Sequence, residues 1–96
     1  MDVVVVYDIA TVNNEDQRRL RQVAKTCEAY GVRVQDSVFE CRLSHTALAQ
    51  LKVDLEEIID ERRDSIYFYR ILNTLRDARS ILGRRRPHEY GTPWIL

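Results

Sequence analysis

The run Val3-Val4-Val5-Val6-Tyr7-Asp8 constrains the fold more than any other part of the chain. Five apolar or aromatic residues in a row, four of them β-branched, read as a strand covered on both faces. An ionisable group follows directly at its C-terminal end. A carboxylate there carries a desolvation penalty unless a cation, a hydrogen-bond donor or water meets it. Asp8 is therefore a candidate metal ligand or catalytic group. The plainer reading is a strand-end residue that caps nearby backbone N–H groups.

The 96 residues make one domain, and a chain this short leaves much of its surface uncovered, so oligomerisation is expected. No apolar run is long enough for a membrane span, and no basic region precedes the Val stretch. The expected compartment is the cytoplasm. The formal net charge is zero, which argues against purely electrostatic nucleic-acid binding. The kind of cation is more informative. Of the 15 Lys and Arg residues only Lys25 and Lys52 are Lys, which leaves 13 Arg. Guanidinium forks match phosphate oxygens and stack on bases, so the bias suits phosphate recognition; a heat-adapted or codon-biased surface accounts for it equally well. Cys27 and Cys41 have no metal-binding spacing and fall on apolar positions, so they read as small buried hydrophobes.

Periodicity places the elements. After the first strand, Asn13 or Asn14 caps a helix, with Glu15 and Asp16 at its positive end. Leu20, Val23, Ala24 and Cys27 form the buried stripe of a helix over 15–30, stopped by Gly31. Val32–Val34 and Ser37–Leu43 read as two strands around Gln35-Asp36. Ser44 caps a second helix whose stripe is Leu48, Leu51, Leu55 and Ile58 or Ile59, and which ends near Arg62-Arg63-Asp64. Ser65–Leu72 is a further strand. The order β-α-β-β-α-β is the split, ferredoxin-like α+β arrangement: an antiparallel sheet with two helices on one face. Residues 74–82 read as a short helix, or 79–82 as a fifth strand. The domain is taken as 1–83. Residues 84–96 are taken as a tail whose apolar end, Trp94-Ile95-Leu96, docks as an extra strand on its own sheet or on a partner subunit.

On the first helix Arg18, Arg21 and Lys25 point away from the stripe and Arg19 lies at its flank. They read as a nucleic-acid backbone surface or as an ordinary solvated face. In a β-α unit the start of the helix lies near the end of the strand, so Asp8 and Arg18 share an edge. A carboxylate for metal beside cations for phosphate is what phosphodiester cleavage needs. His45 and His88 read as surface residues, and Phe39, Tyr67, Phe68 and Tyr69 as core or interface.

Tyr7-Asp8-Ile9, then Arg18-Arg19-Leu20-Arg21-Gln22-Val23-Ala24-Lys25, then the run from Tyr30 through Gln35-Asp36-Ser37-Val38-Phe39-Glu40-Cys41, and then Ile66-Tyr67-Phe68-Tyr69-Arg70-Ile71 together resemble the CRISPR-associated protein two family. The likeness runs to about Gly83. It implies a homodimer of the spacer-acquisition step, a metal-dependent endonuclease on RNA or double-stranded DNA. It also implies a DNA-holding bridge between subunits of a CRISPR-associated integrase, and a non-catalytic scaffold in that complex is the alternative. By the same resemblance Asp8 is the Mg²⁺ ligand and catalytic residue. Arg18, Arg19, Arg21 and Arg33 contact nucleic acid, and Tyr7, Ser37 and Phe39 lie at the cleft. Asp36 stands where the pattern commonly has an aromatic, and no role is assigned to it. One carboxylate is a poor site for Mg²⁺, which prefers six oxygens in an octahedron; a two-fold dimer would bring two Asp8 residues together.

Overall fold

The computed structural model describes residues 1–84. The expected docking of the tail, with its extra strand and Trp94-Ile95-Leu96, lies outside the described residues. The element order is β1 (Asp2–Asp8), α1 (Asn14–Glu28), β2 (Gly31–Gln35), β3 (Val38–Arg42), α2 (His45–Ile58), β4 (Ser65–Ile71) and a single turn, α3 (Leu75–Ala78). The sheet order is β2-β3-β1-β4 with every neighbouring pair antiparallel, which is the ferredoxin-like arrangement.

Side chains alternate across a strand, so β1 presents Val3, Val5 and Tyr7 to one face and Asp2, Val4, Val6 and Asp8 to the other. The first set is buried with Phe39 and Cys41 of β3, Val23, Ala24 and Cys27 of α1, and Leu48, Leu51 and Leu55 of α2. Each fully buried Val, Leu or Phe among them contributes about 1.5–3 kcal/mol of transfer free energy. Leu20, Ile58 and Ile59 pack against this core from its rim. The two cysteines are buried there, and burial pushes both thiols up to about 12.

Both long helices start on side-chain caps. Asn13 accepts the Asp16 N–H while Asp16 accepts the Asn13 N–H, a reciprocal capping box. Ser44 accepts the Ala47 N–H at the start of α2. The first helix ends earlier than its sequence suggests, with Ala29 as its C-cap. Gly31 is not the helix stop but the first residue of β2. A Cβ there would run into Cys41 Sγ and the Glu40 carbonyl oxygen, so glycine is required by close approach rather than by left-handed backbone.

The far face is different from what a continuous apolar run suggests. In this single chain the second face of β1 is covered by neither long helix. Among the described residues only its Asp2 end is closed, by the segment around α3. The Leu75 N–H donates to Asp2 at 2.7 Å, and Arg79 donates to Glu40 on β3 through Nε at 3.1 Å. Toward the Asp8 end, Val4 and Val6 are half-buried and Tyr67 and Tyr69 of β4 stand out, 58% and 53% exposed.

Candidate functional site

Asp8 is the last residue of β1, and its ladder partner is Ser65, the first residue of β4. Its pairing with β3 has already ended at Val6–Val38. The carboxylate is exposed and forms part of a shallow hollow of about 230 Å³ with Val6, Tyr7, Ser65, Tyr67 and Tyr69. The two tyrosines stack with ring centroids 6.2 Å apart. The side chains that line this hollow with oxygen atoms on the open face are therefore the Asp8 carboxylate, the Ser65 hydroxyl and the Tyr67 and Tyr69 phenols. These are hard ligands of the kind Mg²⁺ takes, whereas the protonated, buried thiols are removed from that role. Among the described residues no group of three His, Cys, Asp or Glu side chains comes together. The donor set fits a water-rich Mg²⁺ site only if a second carboxylate joins Asp8.

Tyr7, Arg33, Ser37 and Phe39 are brought together, but on the core side of the sheet. Tyr7 stacks on Phe39 at 6.1 Å, and the Arg33 guanidinium lies 5.2 Å from the Phe39 ring centroid. The Tyr7 N–H donates to the Ser37 carbonyl oxygen, and the Tyr7 hydroxyl donates to the Asp36 carbonyl oxygen, each at 3.1 Å. Phe39 is fully buried and Tyr7 nearly so. Burial pushes the Tyr7 phenol up, with Arg33 pulling partly against it. The cluster holds the hairpin of β2 and β3 against the end of β1. Asp8 points the other way, because adjacent strand residues face opposite sides.

The arginines of α1 divide into two kinds. Arg18 and Arg21 are exposed and have no carboxylate partner among the described residues. Arg19 is different: its side chain is 16% exposed and is held by two carboxylates. It donates to Asp16 Oδ1 at 2.8 Å and to Asp64 Oδ2 at 2.9 Å. Arg63, in the turn before β4, donates to both Asp16 oxygens at 2.8 and 2.6 Å. Asp16 and Asp64 have fully buried side chains. The Arg63 bonds, with those from Val12, Arg19 and Asn13, outweigh burial and hold the Asp16 carboxyl well below the usual carboxylate range. Burial pushes Asp64 up, but the bonds from Arg19, Asp60 and Ala10 bring it below its ordinary value. Asp64 and Asp16 in turn hold the Arg19 guanidinium firmly protonated.

Sequence reasoning gave Asp16 a helix-dipole role and Asp64 none. Arg62, exposed in the turn that carries Arg63, was also passed over. The capping-box spacing of Asn13 and Asp16 was the one local signal for this cluster. The contacts that join its two halves, Arg19 to Asp64 and Arg63 to Asp16, link residues 45 and 47 positions apart.

Comparison with known proteins agrees over most of the chain. The family described as "CRISPR associated protein Cas2" matches residues 1–78. A relative named "CRISPR-associated endonuclease Cas2" from Halalkalibacterium halodurans is 40% identical over 96 residues, all of both chains. One named "CRISPR-associated endoribonuclease Cas2" from Chlorobaculum tepidum is 45% identical, again over the whole of both. The crystal structure of Streptococcus pyogenes Cas2 superposes with a TM-score of 0.79 at 43% identity, covering 86% of this chain and 100% of that one.

Proposed function

The chain belongs to the CRISPR-associated protein Cas2 family, and from that premise we propose that it is a homodimeric, Mg²⁺-dependent endonuclease that hydrolyses phosphodiester bonds of RNA or double-stranded DNA. The observation that carries this reading is the mismatch between β1 as a sequence and β1 in one chain. A strand patterned for burial on both faces has one face only partly covered by the described residues, and Asp8 lies at the open end of that face. An exposed aromatic surface beside Val4 and Val6 suits a second copy. A two-fold contact through it uses the same patch twice and supplies a second Asp8.

In such a dimer the Asp8 carboxylates would hold the Mg²⁺. The ion, when bound, supplies positive charge to the phosphate and makes its water more acidic. The chain's own groups do the rest. The Arg18 and Arg21 guanidiniums would take backbone phosphates and set the strand's register. The Tyr7–Phe39–Arg33 cluster keeps the end of β1 rigid beneath Asp8. The same dimer, with its exposed α1 arginines, would serve as the DNA-holding bridge between integrase subunits. The family names of its relatives support nuclease activity, while the exposed guanidiniums of Arg18 and Arg21 support the bridging role whether or not cleavage occurs.

Asp8→Asn separates the two roles. Cleavage of RNA and of duplex DNA with Mg²⁺ is expected to fall at least about 100-fold while binding in EDTA is unchanged. Cleavage at the wild-type rate would remove Asp8 from the chemistry. Sedimentation velocity on Tyr69→Lys tests the dimer: a shift to monomer is expected, because a charge would be buried on an apolar face. A dimer of unaltered strength would place the contact elsewhere.

A further inference from the structure

Asp8 sits where the sheet stops supporting it. Its ladder to β3 has ended, its pairing to β4 is the terminal one, and residues 9–13 form a loop without ladder bonds. The loop is nevertheless pinned. The Ala10 N–H, two residues beyond Asp8, donates to Asp64 Oδ1 at 3.0 Å. The Val12 and Asn13 N–H groups donate to Asp16 Oδ2 at 2.9 and 3.3 Å. Asp64 also immediately precedes Ser65, the ladder partner of Asp8, and its Oδ2 accepts the Asp60 N–H at 2.9 Å. One buried carboxylate therefore fixes both backbone segments on which Asp8 depends. Arg19 joins the two carboxylates by bonding Asp16 and Asp64 together.

We propose that Asp64 and Arg19 are positioning residues for Asp8: through Ala10 and Ser65 they hold its carboxylate in the orientation that receives a divalent cation. This rests on the function proposed above. The α1 cap does not require it, since Asn13 already takes the Asp16 N–H at 2.9 Å. Two aspartates and two arginines leave the cluster neutral, so it supplies orientation rather than field. A metal ligand tolerates little displacement, and residues that orient a ligand usually change metal affinity about 10- to 100-fold when replaced. The assignment also gives Arg19 a role different from its neighbours Arg18 and Arg21.

The test uses Mn²⁺ as probe, with uptake read from the electron paramagnetic resonance of the free ion. Full-length wild type, Asp64→Asn and Arg19→Lys are compared, and DNA affinity is measured separately in EDTA. Lysine keeps the cation but cannot span two carboxylates as the fork does. Both variants are expected to bind Mn²⁺ about 10- to 100-fold more weakly, to bind DNA within twofold of wild type, and to recover cleavage as Mg²⁺ is raised. Three results overturn the proposal. One is Mn²⁺ uptake within twofold of wild type in the folded variants. Another is loss of DNA affinity in Arg19→Lys with Mn²⁺ uptake intact, which makes Arg19 a nucleic-acid contact. The third is failure of both variants to fold, which makes the cluster structural. If the wild type takes up no Mn²⁺, the proposed function itself falls, an outcome distinct from all three.

Discussion

β1 carries an aspartate at each end, on the same face of the same strand, and the two have opposite fates. Asp2 is 4% exposed and fully engaged, taking the Leu75 N–H at 2.7 Å and Arg42 Nε at 3.1 Å. Burial pushes its carboxyl up, but the Leu75 and Arg42 bonds outweigh that and hold it below the ordinary value. Asp8 is exposed at the rim of a hollow. The strand is not what separates them. At the Asp2 end the chain folds back through α3 and supplies donors; at the Asp8 end no element among the described residues closes the face. A carboxylate consumed by its own fold is a structural group, and one presented without such partners is available to a ligand.

The largest effect expected from this contrast is the loss of cleavage in Asp8→Asn described above, with stability within about 0.5 kcal/mol of wild type in urea titration, as for an exposed substitution. The mirror experiment is Asp2→Ala. It leaves a buried N–H and a guanidinium without their acceptor and is expected to cost about 1–3 kcal/mol of stability. The specific cleavage rate per folded molecule is expected to be unchanged. If Asp2→Ala lowered that rate while leaving the denaturation midpoint in place, the two ends would not be functionally distinct.

A second contrast runs along α1, between Arg18 and Arg21 on one side and Arg19 on the other. Replacing Arg18 and Arg21 together by Ala removes two phosphate contacts per protomer, hence up to four per dimer. The slope of log affinity against log salt is expected to become shallower by about 2 to 4. Duplex affinity at moderate salt then falls by roughly tenfold, with little change in stability. A slope equal to that of the wild type would take this helix off the nucleic-acid surface. The same titration on Arg19→Gln, which removes the charge and is expected to keep the wild-type slope, shows whether carboxylates have withdrawn that arginine from the interface.

The elements of this fold were legible because each is written locally. The valine run gave β1, the spacing of Leu20, Val23, Ala24 and Cys27 gave α1, and the Leu48–Leu51–Leu55 stripe gave α2. Asp8 was legible as an ionisable group closing an apolar strand. What was illegible depends on contacts between distant residues. Gly31 reads as a helix stop until β3 is laid beside it and Cys41 occupies the space of its missing side chain. Asp64 looks like any acid at a helix end, and only the folded chain brings Arg19 and Ala10 onto it. No period or motif encodes a pairing across 45 residues. For the same reason periodicity could set Arg19 at the flank of the α1 stripe and read Phe39 as core or interface, but could not show that two carboxylates hold the one and that Tyr7 and Arg33 pack on the other.

The smallest expected effect concerns acid, and it sharpens the contrast between engaged and open carboxylates. Asp2, Asp16 and Asp64 are all held below the ordinary value in the folded chain. In the unfolded chain an aspartate titrates near 3.9. Between the folded and unfolded values the unfolded state binds more protons, so stability rises with pH there. The contribution is complete above about pH 4 to 5 and is lost as pH falls through the folded values. Each such group steepens the acid limb by up to about 1.4 kcal/mol per pH unit. Asp2→Asn and Asp64→Asn each remove one of these groups. Urea midpoints followed from pH 5 down to pH 2.5 are therefore expected to decline less steeply in each variant than in wild type, from a lower starting stability. A variant whose acid limb kept the wild-type slope would show that its aspartate gains nothing from its partners on folding.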